Sequence, residues 1–384
     1  MLIACHSGND LVSARTNNPA FHETPIRPLP IPLVYDTLSP QTREITRQLD
    51  KFYATQVKAG FNGSVLIGYQ GRIIYERYYG YANRETGTGL SRENACQLAS
   101  VSKTFTGAAI LYLSDHKYLD INNTVQTYLP EFPYPNITVK MLLDHRSGLA
   151  DYQHWYLGHT SDRETPVSNA EILDQMSRFK PALEFKPNTR FKYSNANYAV
   201  LALIIERVTE MKYPEFMSKY IFQPLGMDHT FVYDAWGQTP STTAISYDHA
   251  WRRADIMFAD GVYGDKGIYS TVEDMYRWDQ SFYHAMLLTP ETTELAYTPC
   301  SFEKPGIKNY GLGWRMFCYP NGAKVIYHNG WWHGNNTSFY RFVKDNLTII
   351  VLGNRFNKSI YGQAPKIFGI LTGASVQDGF DGED

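Results

Sequence analysis

Apolar residues recur with two different periods along the chain, and their order predicts which segments are helices and which are strands. Ser39-Pro40 is typical of a helix start, and apolar residues at helical spacing follow it as far as Gly60. Two short runs at 63–69 and 73–79 read as strands joined by a turn. Residues 100 to about 285 are mainly helical in pattern, with segments such as 197–209 and 272–283. Strand-like runs return at 311–317, 325–328, 337–343 and 347–352, and an amphipathic segment at 359–371 predicts a closing helix.

This order predicts an α/β fold of the α+β kind. The strands at the two ends of the chain would form one antiparallel sheet flanked by helices, and the helical stretch between them would be an inserted, mainly helical lobe. Residues 1–38 are rich in Asn, Ser and Pro and predict a tether or surface strap rather than a folded unit. We therefore expect a single domain over residues 39–375, followed by an acidic tail at 376–384.

Composition narrows the class of protein. The chain has 384 residues, of which 43% are hydrophobic and 19% charged, as expected of a globular protein with an ample core. Its formal net charge is −2 and it has no basic run, which argues against a nucleic-acid partner. The sequence has no stretch of about 20 consecutive apolar residues, so we expect no membrane-spanning helix. Among the four cysteines there is no Cys-x-x-Cys pattern; Cys300 and Cys318 could pair, and the sequence leaves this open.

The first residues raise the question of location. Leu2-Ile3-Ala4-Cys5 resembles the end of a bacterial lipoprotein signal, in which the cysteine becomes lipidated, although the charged start and most of the apolar core are missing. Two interpretations stay open. In one, a lipidated Cys5 attaches the protein to a membrane in the periplasm or cell envelope. In the other, these residues carry no signal and a cytoplasmic location is not excluded.

A serine and a lysine three residues apart open the longest apolar helical segment. Ser100 and Lys103 would share one face of the first helical turn, and the helix that follows is apolar nearly all round. A buried lysine must find partners or lose its proton, and a hydroxyl beside a neutral amine is a nucleophile–base pair. The spacing alone means little, because it recurs in polar or mixed surroundings at 114/117, 177/180 and 301/304.

Further motifs follow Ser100-Val101-Ser102-Lys103 in a fixed order. Tyr193-Ser194-Asn195 comes second, and His328-Asn329-Gly330 comes third. Tyr-x-Asn occurs five times and His-x-Gly twice, so neither motif is specific by itself. The assignment therefore depends on the order of the motifs and on the residues that flank them. With their flanks at 142–149, 193–198, 224–227 and 310–314, the motifs resemble the class C β-lactamase-like serine hydrolases. This group belongs to the superfamily of β-lactamases, penicillin-binding proteins, D-peptidases and esterases. The resemblance extends over about residues 40–375 and implies a β-lactamase/transpeptidase-like fold.

The resemblance also implies a role for each motif residue. Ser100 would attack a carbonyl and form an acyl-enzyme. Either Lys103 or Tyr193 would accept the serine proton, and the sequence leaves that choice open because the two groups would titrate together. Asn195 would offer its amide to the substrate or to Lys103. The oxyanion hole would consist of the backbone N–H groups of Ser100 and Trp331, which need no particular side chain.

The third motif departs from the pattern of β-lactamases. His328 stands where those enzymes have a lysine that helps to hold the substrate carboxylate, and histidine is only partly charged at pH 7. Trp331 and Trp332, after Gly330, replace small residues and would narrow that side of the cleft, although one of them could belong to the core. These departures favour a hydrolase of esters, amides or D-amino-acid peptides over an efficient β-lactamase.

Two further questions concern alternatives and cofactors. The chain could be a catalytically idle sensor that binds peptidoglycan or peptide fragments, but such a protein has no chemical reason to keep all the motif residues.

The chain contains no Walker loop, Gly-x-Gly-x-x-Gly or His-Glu-x-x-His, so we expect no cofactor. His328 and His333 could form a metal pair; we favour unliganded histidines and no metal. The expected partner is a peptide or small-molecule substrate, and the oligomeric state is not predicted.

Overall fold

A seven-stranded antiparallel sheet forms the centre of the protein. The computed structural model describes residues 21–22, 30–36, 39–160 and 162–373, so Cys5, most of the predicted tether and the predicted acidic tail lie outside the described residues. The order of strands in the sheet is β2-β1-β12-β11-β10-β9-β8. The strands are β1 (Gly63–Tyr69), β2 (Arg72–Tyr79), β3 (Tyr81–Asn83), β4 (Thr88–Gly89), β5 (Cys96–Gln97), β6 (Phe231–Val232), β7 (Ile268–Ser270), β8 (Lys308–Tyr310), β9 (Arg315–Cys318), β10 (Lys324–Trp332), β11 (Asn335–Phe342) and β12 (Leu347–Gly353).

The sheet joins the two ends of the chain, as the sequence predicts. β1 pairs antiparallel with β12 over its whole length, from Gly63 opposite Gly353 to Tyr69 opposite Leu347. The helices are α1 (Pro40–Lys58), α2 (Ser102–Asp115), α3 (Val139–Leu143), α4 (Tyr152–Trp155), α5 (Asn169–Phe179), α6 (Asn195–Thr209), α7 (Tyr213–Phe216), α8 (Val272–Tyr283), α9 (Pro290–Ala296) and α10 (Gln363–Thr372). Most of them lie between β5 and β8 and form the inserted lobe. The predicted fold class is therefore confirmed.

Alternation along the strands divides the core between the two faces of the sheet. On β1, Val65 and Ile67 face one cluster of buried residues, which includes Leu49 of α1 and Ile367 of α10. Leu66, between them, belongs to the larger cluster that the sheet shares with the helical lobe. Successive side chains of a strand point to opposite faces, so both faces of this sheet are covered. No helix in the described part of the chain has the length and apolarity needed to cross a membrane.

Helix α2 runs through the middle of the lobe, as its all-round apolar pattern predicts. Every residue from Ser102 to Leu113 is buried, and Phe105 stacks on Trp278 of α8 with ring centroids 4.0 Å apart. The structure differs from the prediction at 311–317, where two strands flank a turn. Gly313 lies in that turn with φ of +90°, and a Cβ atom there would be 3.1 Å from the carbonyl oxygen of Lys103. The close approach of Gly313 to α2 thus interrupts the strand that the sequence predicts at 311–317.

Two smaller predictions can also be compared with the structure. The closing helix begins as a 3-10 turn at Lys358–Gly362 and continues as α10. Cys300 and Cys318 are free thiols, so the disulfide that the sequence left open is not formed in this structure. Burial raises the pKa of the Cys300 thiol to about 11.

A buried ion pair ties the sheet to the lobe. Arg341 of β11 and Asp279 of α8 pair through their side chains, which are 1% and 0% exposed. The guanidinium group also donates to the backbone carbonyl of Asp279 at 3.1 Å. Removal of one partner of a buried pair leaves the other charge without compensation, which is far more costly than loss of a surface pair.

We expect Asp279→Asn to lower the free energy of unfolding by about 3 kcal/mol, because the buried guanidinium of Arg341 loses its counter-charge. Urea denaturation measures this change. Asp174→Asn, at an exposed position of α5, is the control and should stay within about 0.5 kcal/mol of wild type. Equal small effects of the two substitutions would contradict the structural role of the pair.

Candidate active site

The serine and lysine of the first motif meet where the sheet adjoins the helical lobe. Ser100 lies in a 3-10 turn, Ala99–Val101, directly before α2 and not within the helix itself as expected. Lys103 Nζ nevertheless lies 3.2 Å from Ser100 Oγ. Ala99 is fully buried and has φ of +49°. Such left-handed non-glycine residues cost free energy and concentrate at functional sites.

Three oxygen atoms lie within hydrogen-bonding distance of the Lys103 amine. Its side chain is fully buried, and Nζ donates to Asn195 Oδ1 at 2.8 Å and to the backbone carbonyl of Asp265 at 2.6 Å. Burial lowers the pKa of Lys103 to about 7; the Asp265 carboxylate opposes this shift and the Lys266 cation adds to it. A neutral amine is therefore accessible near neutral pH.

The three neighbours of Nζ differ in what they can donate. The Asn195 and Asp265 oxygens are carbonyl oxygens and only accept hydrogen bonds, whereas the Ser100 hydroxyl can also donate. When the amine loses its proton, it keeps two N–H bonds to the carbonyl oxygens. Its lone pair is then left for Ser100 Oγ, which is the one of these three oxygen atoms that has a proton to give. The geometry suits proton transfer from Ser100 to Lys103.

Asp151 sets the orientation of Asn195. Its Oδ2 atom accepts from both the backbone N–H and the side-chain Nδ2 of Asn195, each at 2.9 Å. Because the amide nitrogen is directed at Asp151, the amide oxygen is directed at Lys103. The sequence analysis did not identify Asp151. The available signal was its place in Leu149-Ala150-Asp151-Tyr152, where it caps α4 through Gln153 N.

A second buried network holds the loop that presents the Asp265 carbonyl. Tyr152 donates its hydroxyl to Asp265 Oδ2 at 3.0 Å, and Lys266 Nζ lies 3.3 Å from the same carboxylate oxygen. Tyr152, Asp265 and Lys266 are all buried. Buried polar groups with satisfied hydrogen bonds make their surroundings rigid. This network therefore fixes one of the two carbonyl oxygens that hold Lys103.

Two basic side chains approach the ring of Tyr193. Its ring centroid is 4.9 Å from Lys103 Nζ and 5.1 Å from the guanidinium carbon of Arg315. The ring of His145 packs on it at 4.3 Å, and His145 Nδ1 accepts the backbone N–H of Ser194 at 3.2 Å. Burial lowers the pKa of His145 well below its ordinary value, so this histidine is a neutral support for the second motif.

His328 is neutral, whereas the sequence analysis expected a partly charged histidine at this position. It is fully buried; its Nδ1 contacts the backbone carbonyl of Asn329 at 2.7 Å and its Nε2 contacts the Tyr310 hydroxyl at 3.3 Å. Burial lowers its pKa well below the ordinary value, and the Arg315 and Lys103 cations lower it further. Arg315, a residue that the sequence analysis did not identify, brings a positive charge to this side of the site.

Gly330 brings strand β10 against the 3-10 turn that contains Ser100. A Cβ atom at Gly330 would be 2.2 Å from the Leu98 carbonyl oxygen and 3.1 Å from the backbone nitrogen of Ser100. Thr337 of β11 donates to the same Leu98 carbonyl at 2.8 Å. Only glycine allows this approach, which places the backbone of the next residue, Trp331, beside that of Ser100.

The two tryptophans after Gly330 have different surroundings. Trp331 is 56% exposed, and its indole nitrogen donates to the His333 carbonyl at 3.0 Å. Trp332 packs against the core and donates to Asp260 Oδ1 at 2.7 Å. His333 Nε2 also contacts Asp260, at 2.9 Å. Among the described residues no three metal-ligating side chains come close enough to hold a metal ion.

The structure therefore brings the predicted residues together in two groups. Ser100, Tyr193 and Asn195 surround the Lys103 amine. His328, Gly330 and Trp331 follow one another along β10, at the edge of the same site. The antiparallel sheet, the inserted lobe and the serine–lysine pair at their junction are features of the serine hydrolases related to β-lactamases and penicillin-binding proteins.

Comparison with known proteins agrees with this class. The family model described as Beta-lactamase matches residues 49–367, and the chain belongs to that family. Penicillin-binding protein 4* of Bacillus subtilis (strain 168) is 32% identical over 321 residues, which cover 80% of this chain and 71% of the relative. The chain is thus a serine hydrolase of the β-lactamase and penicillin-binding protein superfamily.

Solved structures share the fold at lower sequence identity. The D-amino acid amidase from Ochrobactrum anthropi SV3, complexed with D-phenylalanine, matches with a TM-score of 0.71 and 20% identity, covering 88% of this chain and 100% of the amidase. EstCE1, a hydrolase with promiscuous acyltransferase activity, matches with a TM-score of 0.74 and 21% identity, covering 87% of this chain and 100% of that protein. At such identities the likeness concerns the fold alone.

We expect Asp151→Asn to lower kcat/KM on an ester substrate by roughly ten- to a hundredfold, because Asn195 loses the charged acceptor that orients its amide. Steady-state kinetics measures this, with circular dichroism to check folding. Asp162→Asn is the matched control, since Asp162 accepts backbone N–H groups of an exposed turn in the same way. Activity of Asp151→Asn equal to that of the control would contradict the positioning role.

Proposed function

We propose that this protein hydrolyses carboxylic esters, amides or D-amino-acid peptides through an acyl-enzyme on Ser100. The observation that carries the proposal is the surroundings of the Lys103 amine. It has two neighbours that only accept hydrogen bonds, at 2.8 and 2.6 Å, and one hydroxyl at 3.2 Å that can donate. This arrangement supports Lys103 as the base and Ser100 as the nucleophile.

The proposed reaction has two acyl-transfer steps. Ser100 Oγ attacks the substrate carbonyl carbon and its proton passes to Lys103 Nζ. The backbone N–H groups of Ser100 and Trp331 would stabilise the negative oxygen of the tetrahedral intermediate. The bond to the leaving group then breaks, and the leaving group takes the proton back. In the second step a water molecule attacks the acyl-Ser100 ester in the same way, releases the acid and restores the serine.

Tyr193 would share the acid–base work. The Lys103 and Arg315 cations near its ring would stabilise negative charge on its oxygen. In the second step Tyr193 would help to activate the deacylating water. Lys103 and Tyr193 are the two candidates for the first base. Because the two groups interact, they would titrate as one coupled pair, and each step of proton loss would involve both.

The third motif supports the proposed substrate preference. A buried neutral His328 offers no positive charge to the carboxylate of a β-lactam, and the exposed ring of Trp331 occupies the adjacent rim. These features support esters, amides or D-peptides over β-lactams. The fold similarity to a D-amino acid amidase and to a hydrolase with acyltransferase activity is compatible with this preference.

We expect a fluorescent fluorophosphonate to label the wild-type protein and to fail on Ser100→Ala. A fluorescent penicillin should label the wild type weakly, because His328 is neutral. Gel fluorescence with mass spectrometry of the labelled peptide gives the result, and Ser102→Ala, beside the nucleophile, is the control. Absence of labelling of the wild type by both probes would overturn the hydrolase proposal and favour the idle-sensor alternative.

The pH dependence of acylation should follow the loss of the proton from the Lys103 amine. Since the pKa of Lys103 is lowered to about 7, we expect kcat/KM to rise with pH and to reach half its plateau near that value, because only the neutral amine has a lone pair. Stopped-flow kinetics on a p-nitrophenyl ester measures the profile. Tyr193→Phe should turn over more slowly with the same acid limb. A rate independent of pH between about 5 and about 9 would refute Lys103 as the base.

A further inference from the structure

The peptide group between Gly330 and Trp331 has a hydrogen-bond partner on the side of the sheet away from the helical lobe. The hydroxyl of Tyr361 donates to the carbonyl oxygen of Gly330 at 3.0 Å. Tyr361 lies in the 3-10 turn Lys358–Gly362, just before α10, and is 8% exposed. It belongs to the cluster of buried residues that the sheet shares with α1 and α10. The sequence analysis did not identify this tyrosine.

A neighbouring amide fixes the direction of this hydrogen bond. The side-chain Oδ1 of Asn336, on β11, accepts the backbone N–H of Asn357 at 2.6 Å. Because a backbone N–H can only donate, the atom of Asn336 that faces Tyr361 must be the amide nitrogen. That nitrogen donates to the Tyr361 oxygen at 2.8 Å. Since it cannot accept, the hydroxyl proton of Tyr361 is left for the Gly330 carbonyl.

The same peptide group carries the Trp331 N–H, which the proposed function assigns to the oxyanion hole. The peptide bond is trans, and in a trans peptide the carbonyl and the N–H point in opposite directions. A Gly330 carbonyl directed at Tyr361 therefore directs the Trp331 N–H away from it. Ser100 lies across the strand from Tyr361, because a Cβ atom at Gly330 would be 3.1 Å from the Ser100 backbone nitrogen.

A hydrogen bond to the carbonyl also strengthens the N–H of the same peptide as a donor, because hydrogen bonds in a chain polarise one another. Here the chain runs from the Asn336 amide through the Tyr361 hydroxyl to the Gly330 carbonyl. All three residues are buried, and a low local dielectric strengthens each bond. The chain ends at the N–H that would meet the negative oxygen of the tetrahedral intermediate.

We propose that Tyr361 is a positioning residue for the oxyanion hole. Its hydroxyl orients and polarises the peptide group between Gly330 and Trp331, so that the Trp331 N–H is a better donor to the developing oxyanion. This inference rests on the proposed function. Tyr361 acts through the peptide group and not on the substrate itself, and it does so from the face of the sheet that packs on α1 and α10.

Tyr361→Phe removes the hydroxyl and keeps the ring. We expect kcat/KM on a p-nitrophenyl ester to fall about three- to tenfold, because the tetrahedral intermediate loses part of its stabilisation. The inhibition constant of an arylboronic acid, whose boron atom bonds to Ser100 Oγ and becomes tetrahedral, should rise by a similar factor. The midpoint of the pH profile should stay that of wild type, since the groups around Lys103 are unchanged.

Tyr134→Phe is the matched control, because the Tyr134 hydroxyl also donates to a backbone carbonyl, that of Pro181 in the helical lobe. Its kcat/KM and its affinity for the boronic acid should equal those of wild type. Incorporation of 3-fluorotyrosine at position 361 supplies a more acidic hydroxyl, and it should restore or exceed the wild-type kcat/KM. Circular dichroism and thermal unfolding check the fold of each variant.

A nuclear magnetic resonance measurement tests the polarisation without turnover. Labelling with carbonyl-13C glycine and 15N tryptophan selects the amide signals of Gly-Trp pairs, of which the sequence has two, Gly313-Trp314 and Gly330-Trp331. In Tyr361→Phe the Trp331 amide proton should move upfield, because its peptide group is less polarised, while the Trp314 signal stays in place. Tyr134→Phe should move neither signal.

Three results would overturn the proposal: a Trp331 signal that does not move in Tyr361→Phe, an equal loss of kcat/KM in Tyr134→Phe, or a loss of kcat/KM without a loss of affinity for the boronic acid. A wild-type protein that hydrolyses no ester and takes no fluorophosphonate label would instead refute the proposed function. The Trp331 signal would then still decide whether Tyr361 polarises this peptide group.

Discussion

The desolvation of one amine is the constraint around which this structure is built. Lys103 projects from a buried helix into a space where water cannot solvate its charge, and the protein compensates with two carbonyl oxygens and one hydroxyl. The balance between burial and these hydrogen bonds keeps the neutral and charged forms close in free energy. A more polar surrounding would leave the amine protonated, and a less polar one would leave a buried donor unsatisfied.

Maintenance of that balance requires elements that are far apart in the sequence. Asp151 orients Asn195 from one side, and the Tyr152–Asp265–Lys266 network holds the other carbonyl. Each of these groups is itself satisfied, so the arrangement is rigid before any substrate arrives. Preorganised polar groups of this kind do not have to reorient as charge develops in the transition state.

The sheet contributes the other wall of the candidate site. The lack of a side chain at Gly330 lets β10 approach the turn that carries Ser100, and the same strand then presents Trp331 to solvent. The position where related β-lactamases have a cationic lysine holds a histidine that burial keeps neutral. The Arg315 guanidinium carbon, by contrast, lies 5.1 Å from the ring centroid of Tyr193.

Much of this could be predicted from the chain itself. Helical and alternating apolar periods indicated α2, α6 and the strands that join the two termini, because burial of one face imposes a period on the sequence. The order of three short motifs indicated Ser100, Lys103, Tyr193 and Asn195 as one group. The turn that splits β8 from β9 was missed, since the approach of Gly313 to α2 is a tertiary contact.

The sequence by itself determined the class of fold and the candidate serine–lysine pair, because both depend on local patterns and residue types. Only the tertiary structure decided the charge of His328, the partners of Lys103 and the importance of Asp151 and Arg315. Those properties depend on burial and on hydrogen bonds between segments far apart in the chain, for example from Lys103 to Asp265. No local pattern records such distances, because they arise when the lobe and the sheet pack together.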